Sequence, residues 1–320
     1  MSRGYLLAKL LHALVTLSAI LILNFALFRI LPGDPVRTLL PRGIPAEQVA
    51  ATRARLGLDE PLFPNQFISY VSATATGDFG YSFQYRTPVT ALLEQRIGPT
   101  VLLVGVASLL AVVIGILIGI AAGARAGGWF DSVTVGASLV LYALPVFWLG
   151  MIAIMIFGPL GFPIHGMATP GFAPPDAIAQ ISDIAAHLFM PALVLALALI
   201  GQYALMMRSA LVDVMAEDYI ETARAKGLRE EQVVVRHAVP NALLPTVTLI
   251  GINLGFIFTG AITLENVFGW PGLGSLIVSS VASRDYPVLQ GAFLLIAVTV
   301  VLANLAADLV YGLLDPRVRG

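Results

Sequence analysis

The sequence contains no cysteine and only two lysines, and each scarcity excludes a class of chemistry. Without cysteine there is no disulfide, no thiol nucleophile and no cysteine-bound metal. The lysines, Lys9 and Lys226, stand outside any GxxxxGK[ST] sequence, so the chain has no Walker A loop to hold ATP phosphates. The four histidines show no metal-binding spacing such as HExxH, and no GxSxG nucleophile motif occurs. We therefore expect no catalytic, cofactor-binding or metal-binding residues in this chain.

Charge is also scarce. Asp, Glu, Lys and Arg make up 12% of the 320 residues, whereas hydrophobic residues make up 58%. Soluble domains carry about 25% charged residues. This much apolar surface predicts a protein that lies in a lipid bilayer. The net charge of −1 and the lack of a basic tail argue against nucleic acid as a partner.

Six apolar windows are long enough to cross a bilayer, which takes about 20 helical residues. They cover residues 9–31, 98–123, 132–158, 187–211, 246–265 and 288–313. The first window is too long for the apolar core of a signal peptide and no convincing cleavage site follows, so we interpret it as a retained span. Gly115, Gly119 and Gly123 repeat at four-residue spacing and allow a close helix contact, which ordinary packing would explain.

The distribution of arginine and lysine orients these spans. The short outer loops hold only Arg284, whereas the cytoplasmic segments hold Arg3, Lys9, Arg125, Arg208, Arg224, Lys226, Arg229, Arg236, Arg317 and Arg319. The long loop at 32–97 also carries arginines, but long loops cross largely regardless of charge. We therefore predict an all-α integral membrane protein with six transmembrane helices and both termini in the cytoplasm.

The expected organisation has three parts. Residues 1–31 form the N-terminus and first transmembrane helix, residues 32–97 an extracytoplasmic loop domain, and residues 98–320 a five-helix core with a cytoplasmic loop at 212–245. Within the outer loop, IPAEQVAATRARLGLDEP predicts a short helix that begins near Pro45 and ends before Gly57. TGDFGYSF predicts a turn over the mouth of the bundle, either a plain cap or a docking or gating surface.

The span centres are almost free of ionisable residues. Arg29, Glu265 and Asp308 all lie toward span ends. Ion-driven and proton-driven carriers usually place such residues in mid-span. The pattern therefore disfavours a self-sufficient channel or secondary carrier and indicates an energy source outside this chain.

The cytoplasmic loop contains YIETARAKGLREEQVVVRHAVPNALLP, residues 219–245, which holds four of the eight Lys and Arg residues of the second half. A helical projection places its small apolar side chains on one face, which we predict to contact a partner: Ala216, Tyr219, Ile220, Ala223 and Gly227. Glu217, Asp218, Glu221 and Arg224 fall opposite. Gly227 would end this helix and a second one would follow. A solvated amphipathic connector is the plainer alternative.

The loop resembles the EAA motif of ABC-importer permeases, a Glu, two small residues, a Gly and a distal Pro: Glu221, Thr222, Ala223, Gly227 and Pro240. Two positions depart from the general pattern. Thr222 stands where Ala is usual, and His237 where an aliphatic residue is common. Both departures resemble the peptide/nickel branch of the family. The same branch is matched, in order along nearly the whole chain, by RILPGDP, LGLDEP, GDFGYS, TLENVFGWPGLG, RDYPVLQG and DPRVRG.

This resemblance implies the fold of a type I ABC-importer permease, a multi-pass protein of a bacterial or archaeal inner membrane. It implies that the loop between the fourth and fifth spans is a coupling helix seated on an ATPase subunit. The residues assigned to that contact are Glu221, Thr222, Ala223, Arg224, Lys226 and Gly227. The implied partners are a second homologous permease, two cytoplasmic ATPase subunits that bind ATP and Mg, an extracytoplasmic solute-binding protein and the lipid bilayer.

The implied solutes are di- or oligopeptides, with nickel, glutathione or another small solute as the alternative. The segment Leu264–Gly274 is either an outer gate or a turn that only packs. A membrane scaffold without transport would leave the outer-loop pattern unexplained.

Overall fold

The computed structural model describes residues 3–30, 45–55 and 59–314 of the chain. Within these ranges the chain is helical and contains no strand. The helices are α1 (Arg3–Ile30), α2 (Ala46–Arg55), α3 (Phe67–Ala75), α4 (Val89–Gly123), α5 (Trp129–Ala143), α6 (Val146–Phe157), α7 (Ala177–Met215), α8 (Asp218–Ala225), α9 (Glu230–Val233), α10 (Val239–Val267), α11 (Leu273–Ser283) and α12 (Tyr286–Leu314). Helix α2 confirms the short helix predicted in the outer loop.

Five long apolar segments, in α1, α4, α7, α12 and the stretch from α9 into α10, can each cross a membrane. The third predicted window, residues 132–158, is not one helix, and that expectation is corrected. It is divided between α5 and α6, which are bent by 102°. Pro145 causes the break because proline disfavours a helical conformation in the residue before it, and Leu144 is extended with ψ 130°.

Helices α4 and α7 cross in the same direction. Contacts advance together along the two chains, from Gly115 against Tyr203 to Gly123 against Leu211. The broken pair α5–α6 must therefore return the chain to the other side between them. Counted as one crossing, the pair brings the number of spans in the described ranges to six. We call the end that carries the 32–97 loop the outer end.

The glycine stripe of α4 lets α4 and α7 approach closely. A Cβ at Gly119 would lie 2.7 Å from the Ala204 carbonyl oxygen and from the Met207 Cβ. The spacing-based prediction of close helix packing is confirmed. Overpacking such a contact typically costs about 1–3 kcal/mol.

The outer turn between α10 and α11 is held by a buried carboxylate. Glu265, fully buried, accepts hydrogen bonds from Thr100 Oγ1 at 2.5 Å, from the Gly274 N–H at 2.6 Å and from the Ser275 N–H at 3.1 Å. Trp270 is also fully buried and donates its indole N–H to the Pro99 carbonyl at 2.9 Å. These contacts favour the packing interpretation of Leu264–Gly274 over a gate.

A second buried carboxylate fastens the outer loop to the bundle. Asp285, just before α12, accepts from the Ser82 hydroxyl at 2.5 Å and from the N–H groups of Phe83 at 3.0 Å and Gln84 at 3.1 Å. The turn predicted for TGDFGYSF is therefore packed on the outer end of the bundle. It joins two sequence segments, GDFGYS and RDYPVLQG, that lie far apart in the chain.

Several sequence expectations fall outside the described residues. The last five residues of RILPGDP, all of DPRVRG and the first three residues of LGLDEP lie there, as do Arg317 and Arg319. The side chain of Asp308 is likewise not described.

Candidate partner-docking site

The cytoplasmic loop forms the helix–turn–helix expected from its sequence. Helix α8 begins after Glu217, whose backbone is extended, and ends where Gly227 adopts a left-handed conformation with φ +80°. The N–H of Lys226 bonds to the Thr222 carbonyl at 3.2 Å, and that of Gly227 to the Arg224 carbonyl at 2.9 Å. Glycine is favoured at such a helix end because it lacks a Cβ.

The inner face of α8 is buried against its own chain. Ile220 is 0% exposed and Ala223 is 6% exposed. They pack in one apolar cluster with residues of α7, of α9, of the helical segment 234–238 that follows it, and of the start of α10: Met207, Ala210, Leu211, Val233, Val234, Ala238 and Ala242. The expectation that this small-residue face contacts a partner is therefore wrong for Ile220 and Ala223. Burial in this cluster removes both apolar side chains from water.

The face of α8 that points away from the bundle is exposed, and so is the turn after it. Of the six residues that the EAA resemblance singles out, only Ala223 is buried. The exposed members are Glu221, Thr222, Arg224, Lys226 and Gly227. A Cβ at Gly227 would meet no atom within 4 Å, so the space in front of this turn is open. A partner can reach these five residues directly and Ala223 only through them.

One surface ion pair bridges the turn at Gly227. Arg224 donates to Glu230 from Nη2 at 2.7 Å and from Nε at 3.1 Å. These hydrogen bonds raise the pKa of Arg224 above its usual value. Because the two side chains are 42% and 60% exposed, water screens the pair and it adds little to stability. It orients the two helices more than it stabilises them.

A polar contact that the sequence did not reveal ties α8 to α10. Asn241 donates from Nδ2 to the Tyr219 hydroxyl at 2.9 Å and to the His237 carbonyl at 3.0 Å. The helical projection placed Tyr219 among the apolar residues, although its hydroxyl is a polar group that needs a partner. The pairing joins residues 22 positions apart, so no local spacing rule could have identified it.

An ion pair near the same end fastens α5 to α7. Asp131 is 3% exposed and accepts from Arg208 Nε at 2.8 Å and from Nη2 at 2.7 Å. The Gly127 N–H also donates to it at 2.9 Å. The sequence marked Arg208 only as one of several cytoplasmic basic residues, because the partner lies 77 positions away.

This arrangement can transmit a displacement. Helix α8 presents a polar surface away from the bundle. Its buried side shares one apolar cluster with α9, with residues 234–238, with α7, which continues directly into the membrane, and with the start of α10. A force on α8 therefore reaches two spanning helices. In the described ranges, no three His, Asp or Glu side chains gather in a way that could hold a metal ion.

Comparisons with protein families agree with this architecture. Residues 115–320 match the model of the binding-protein-dependent transport system inner membrane component, and residues 1–104 match the N-terminal model of the same type of membrane component. Together the two matches extend over both the outer loop and the helical core.

Characterised relatives are similar over almost their whole length. The chain is 37% identical to the dipeptide transport system permease protein DppB of Escherichia coli (strain K12), over 98% of both chains. It is also 37% identical to the di/tripeptide transport system permease protein DppB of Pseudomonas aeruginosa (strain UCBPP-PA14), over 95% of both. The glutathione transport system permease protein GsiC of Escherichia coli (strain K12) is 37% identical over 99% of both.

A solved structure shares the fold. A chain from the inward-facing MetNI methionine ABC transporter matches with a TM-score of 0.57, over 70% of this chain and 96% of that chain. The identity is 18%, so this similarity concerns the fold alone.

Proposed function

The chain belongs to the family of binding-protein-dependent transport system inner membrane components, and we propose that it imports di- or oligopeptides as a permease subunit of an ABC importer. It is a multi-pass inner membrane protein. Two of the relatives above carry names for dipeptide and di/tripeptide transport at 37% identity, which supports a peptide as the solute.

The placement of α8 is the observation that carries the proposal. Its polar residues face outward where a cytoplasmic partner can reach them, while Ile220 and Ala223 anchor it to α7 and α10. We assign Glu221, Thr222, Lys226 and Gly227 to direct contact with an ATPase subunit. Arg224 flanks that contact and Ala223 supports it from the buried side.

Energy would come from the partners. The sequence has no Walker A motif, so two ATPase subunits would bind ATP and Mg, and their closure would push on α8. A second homologous permease would complete the pathway, and an extracytoplasmic solute-binding protein would deliver the peptide. Alternating inward-open and outward-open arrangements of the bundle would then move the peptide across.

Glutathione is a second candidate solute. The observation that favours it is the name of one relative, a glutathione transport permease that matches over 99% of both chains.

Uptake by the reconstituted complex tests these proposals. Proteoliposomes holding this chain with its partner subunits would receive dialanine, a longer peptide, glutathione or nickel, each with and without ATP. We expect peptide uptake only with ATP. Equal uptake without ATP would indicate a secondary carrier, and uptake of glutathione or nickel but not of peptides would contradict the peptide assignment.

The docking assignment is tested by Gly227→Trp. A bulky side chain in the open space before the turn should block the ATPase surface and lower ATP-dependent uptake at least tenfold. Gly127→Trp is the matched control, since Gly127 lies in another cytoplasmic turn with φ +81° and a Cβ there also meets no atom within 4 Å. Both variants carry the same left-handed strain, about 1–2 kcal/mol. Normal substrate-stimulated ATP hydrolysis in Gly227→Trp would refute the assignment.

A further inference from the structure

A cavity of about 600 Å³ lies at the outer end of the chain. It is formed by the last turn of α1, by α3 and by the first turns of α12, together with loop residues near the start and end of α3. Small-molecule sites in proteins typically have volumes of about 300–1,000 Å³. The cavity is therefore large enough to hold a small solute.

Arg29 contributes a positive charge to this cavity. It is in the last turn of α1 and is partly buried. No carboxylate in the described part of the chain forms an ion pair with it. A partly desolvated guanidinium is a strong, bidentate donor for a carboxylate. The α1 dipole also favours a basic residue at this helix end.

One wall of the cavity is polar and uncharged. Asn24 donates from Nδ2 to the Tyr70 hydroxyl at 3.2 Å and to the Gln290 backbone carbonyl at 3.0 Å, which joins α1, α3 and α12 around the cavity. The Gln290 Nε2 is buried and donates no well-formed hydrogen bond, although the Tyr70 hydroxyl is near it. A peptide carbonyl would satisfy this donor.

Two carboxylates also line the cavity from the outer-loop segments. Glu60 accepts from Asn65 Nδ2 at 2.7 Å, and Asp78 accepts from the Gly80 N–H at 2.9 Å. Both residues are exposed. The cavity therefore has a partly buried cation, Arg29, and two carboxylates that are exposed to water.

We propose that this cavity receives a short zwitterionic peptide, with the peptide carboxylate on Arg29 and its ammonium group toward Glu60 and Asp78. The proposal rests on the proposed function as a peptide permease and adds a receiving site on its outer face. The space is concave, with the donor Arg29 partly buried and the acceptors Glu60 and Asp78 exposed. Such a space fits a small solute better than it fits the flat surface of a partner protein.

The test measures binding of dialanine to the full chain in lipid nanodiscs by calorimetry. Dialanine amide lacks the carboxylate, and N-acetyl-dialanine lacks the ammonium group. We expect saturable binding of dialanine. Arg29→Gln and the amide should each weaken it about tenfold or more, because a charge-assisted hydrogen bond is lost. N-acetylation should weaken it less, since Glu60 and Asp78 are exposed.

Two variants control for folding and for general charge. Arg29→Lys keeps the charge and should retain more binding than Arg29→Gln. Arg284→Gln removes an exposed outer arginine that does not line the cavity and should bind as the wild type does. Thermal unfolding of each variant identifies any that fails to fold.

Equal affinity of Arg29→Gln and wild type for dialanine would overturn the inference. So would a loss of solute-binding-protein capture in Arg29→Gln with dialanine binding unchanged, which would make the cavity a protein-docking contact. If the complex imports dialanine but the chain shows no saturable binding, the inference fails and the proposed function stands. If the chain binds dialanine in this way but the complex imports no peptide with ATP, the proposed function fails and the cavity assignment stands.

Discussion

The outer turn between α10 and α11 and the cytoplasmic loop around α8 both carry charged residues beside apolar helices, yet they use them in opposite ways. At the outer turn the Glu265 carboxylate is fully buried and accepts three hydrogen bonds. In the cytoplasmic loop the charges of α8 face water and its apolar residues face the bundle. The Glu265 carboxylate holds its own chain together, whereas the charged side chains of α8 remain accessible to another chain.

The difference follows from the desolvation of polar groups. A buried carboxylate is tolerated only when its acceptors are satisfied, so the outer turn has one arrangement that substitutions disrupt. Exposed charges lose little when they are unpaired, so α8 can present them without a fixed internal partner. We therefore expect the stability of the chain to depend on the outer turn. We expect the coupling of ATP hydrolysis to transport to depend on the cytoplasmic loop.

The largest effect should come from Glu265→Ala. It leaves the Thr100 hydroxyl and two backbone N–H groups buried without an acceptor, at about 1–3 kcal/mol each. The free energy of unfolding should fall by about 3 kcal/mol or more, measured by thermal unfolding of the purified chain in detergent. Glu231→Ala, which removes an exposed carboxylate from α9, should change little. Equal midpoints for the two variants would mean that the outer turn is not held by its carboxylate.

A smaller effect is expected for Ile220→Ala. It removes a fully buried side chain that fastens α8 to α7 and α10, and should cost about 2 kcal/mol, the low end for such changes, because a surface loop can partly collapse. Hydrogen exchange should show reduced protection of α8, with the outer helices unaffected. Ile181→Ala, at a residue 66% exposed, is the control. Unchanged protection of α8 would show that its inner face does not anchor it.

The smallest effect is expected for Arg224→Gln. Loss of the solvent-screened pair with Glu230 should change the midpoint of thermal unfolding only slightly, and high salt should remove the difference. Glu230→Gln should cost the same, and the double variant should cost no more than either. A double-mutant cycle by thermal unfolding measures this coupling. If the coupling energy between Arg224 and Glu230 were as large as the effect of Glu265→Ala, the outer turn and the cytoplasmic loop would not differ in how their charges contribute to stability.

Local patterns predicted much of this molecule. Apolar length located the spans, the spacing of Gly115, Gly119 and Gly123 predicted the close contact of α4, and Gly227 predicted the end of α8. These features depend on residues within a few turns of each other. The break at Pro145 was present in the sequence too, but its angle depends on packing that the sequence does not display.

The cytoplasmic loop shows where local reasoning failed. Of the five residues that the projection placed on the apolar face of α8, the structure buries Ile220 and Ala223 and exposes the other three. The projection assigned the whole face to a partner. Whether an apolar face meets its own chain or another one depends on what lies beside it in space. Here α7 and α10 lie beside it and bury Ile220 and Ala223.

The sequence by itself determined the membrane class, the lack of a Walker A motif and the end of α8 at Gly227, because these follow from composition and short-range order. Only the tertiary structure decided the rest. It paired Glu265 with Thr100, Asp285 with Ser82 and Asp131 with Arg208, at separations of 165, 203 and 77 residues. Buried polar groups must find partners wherever the fold brings them, and no spacing rule along the chain specifies which partners those are.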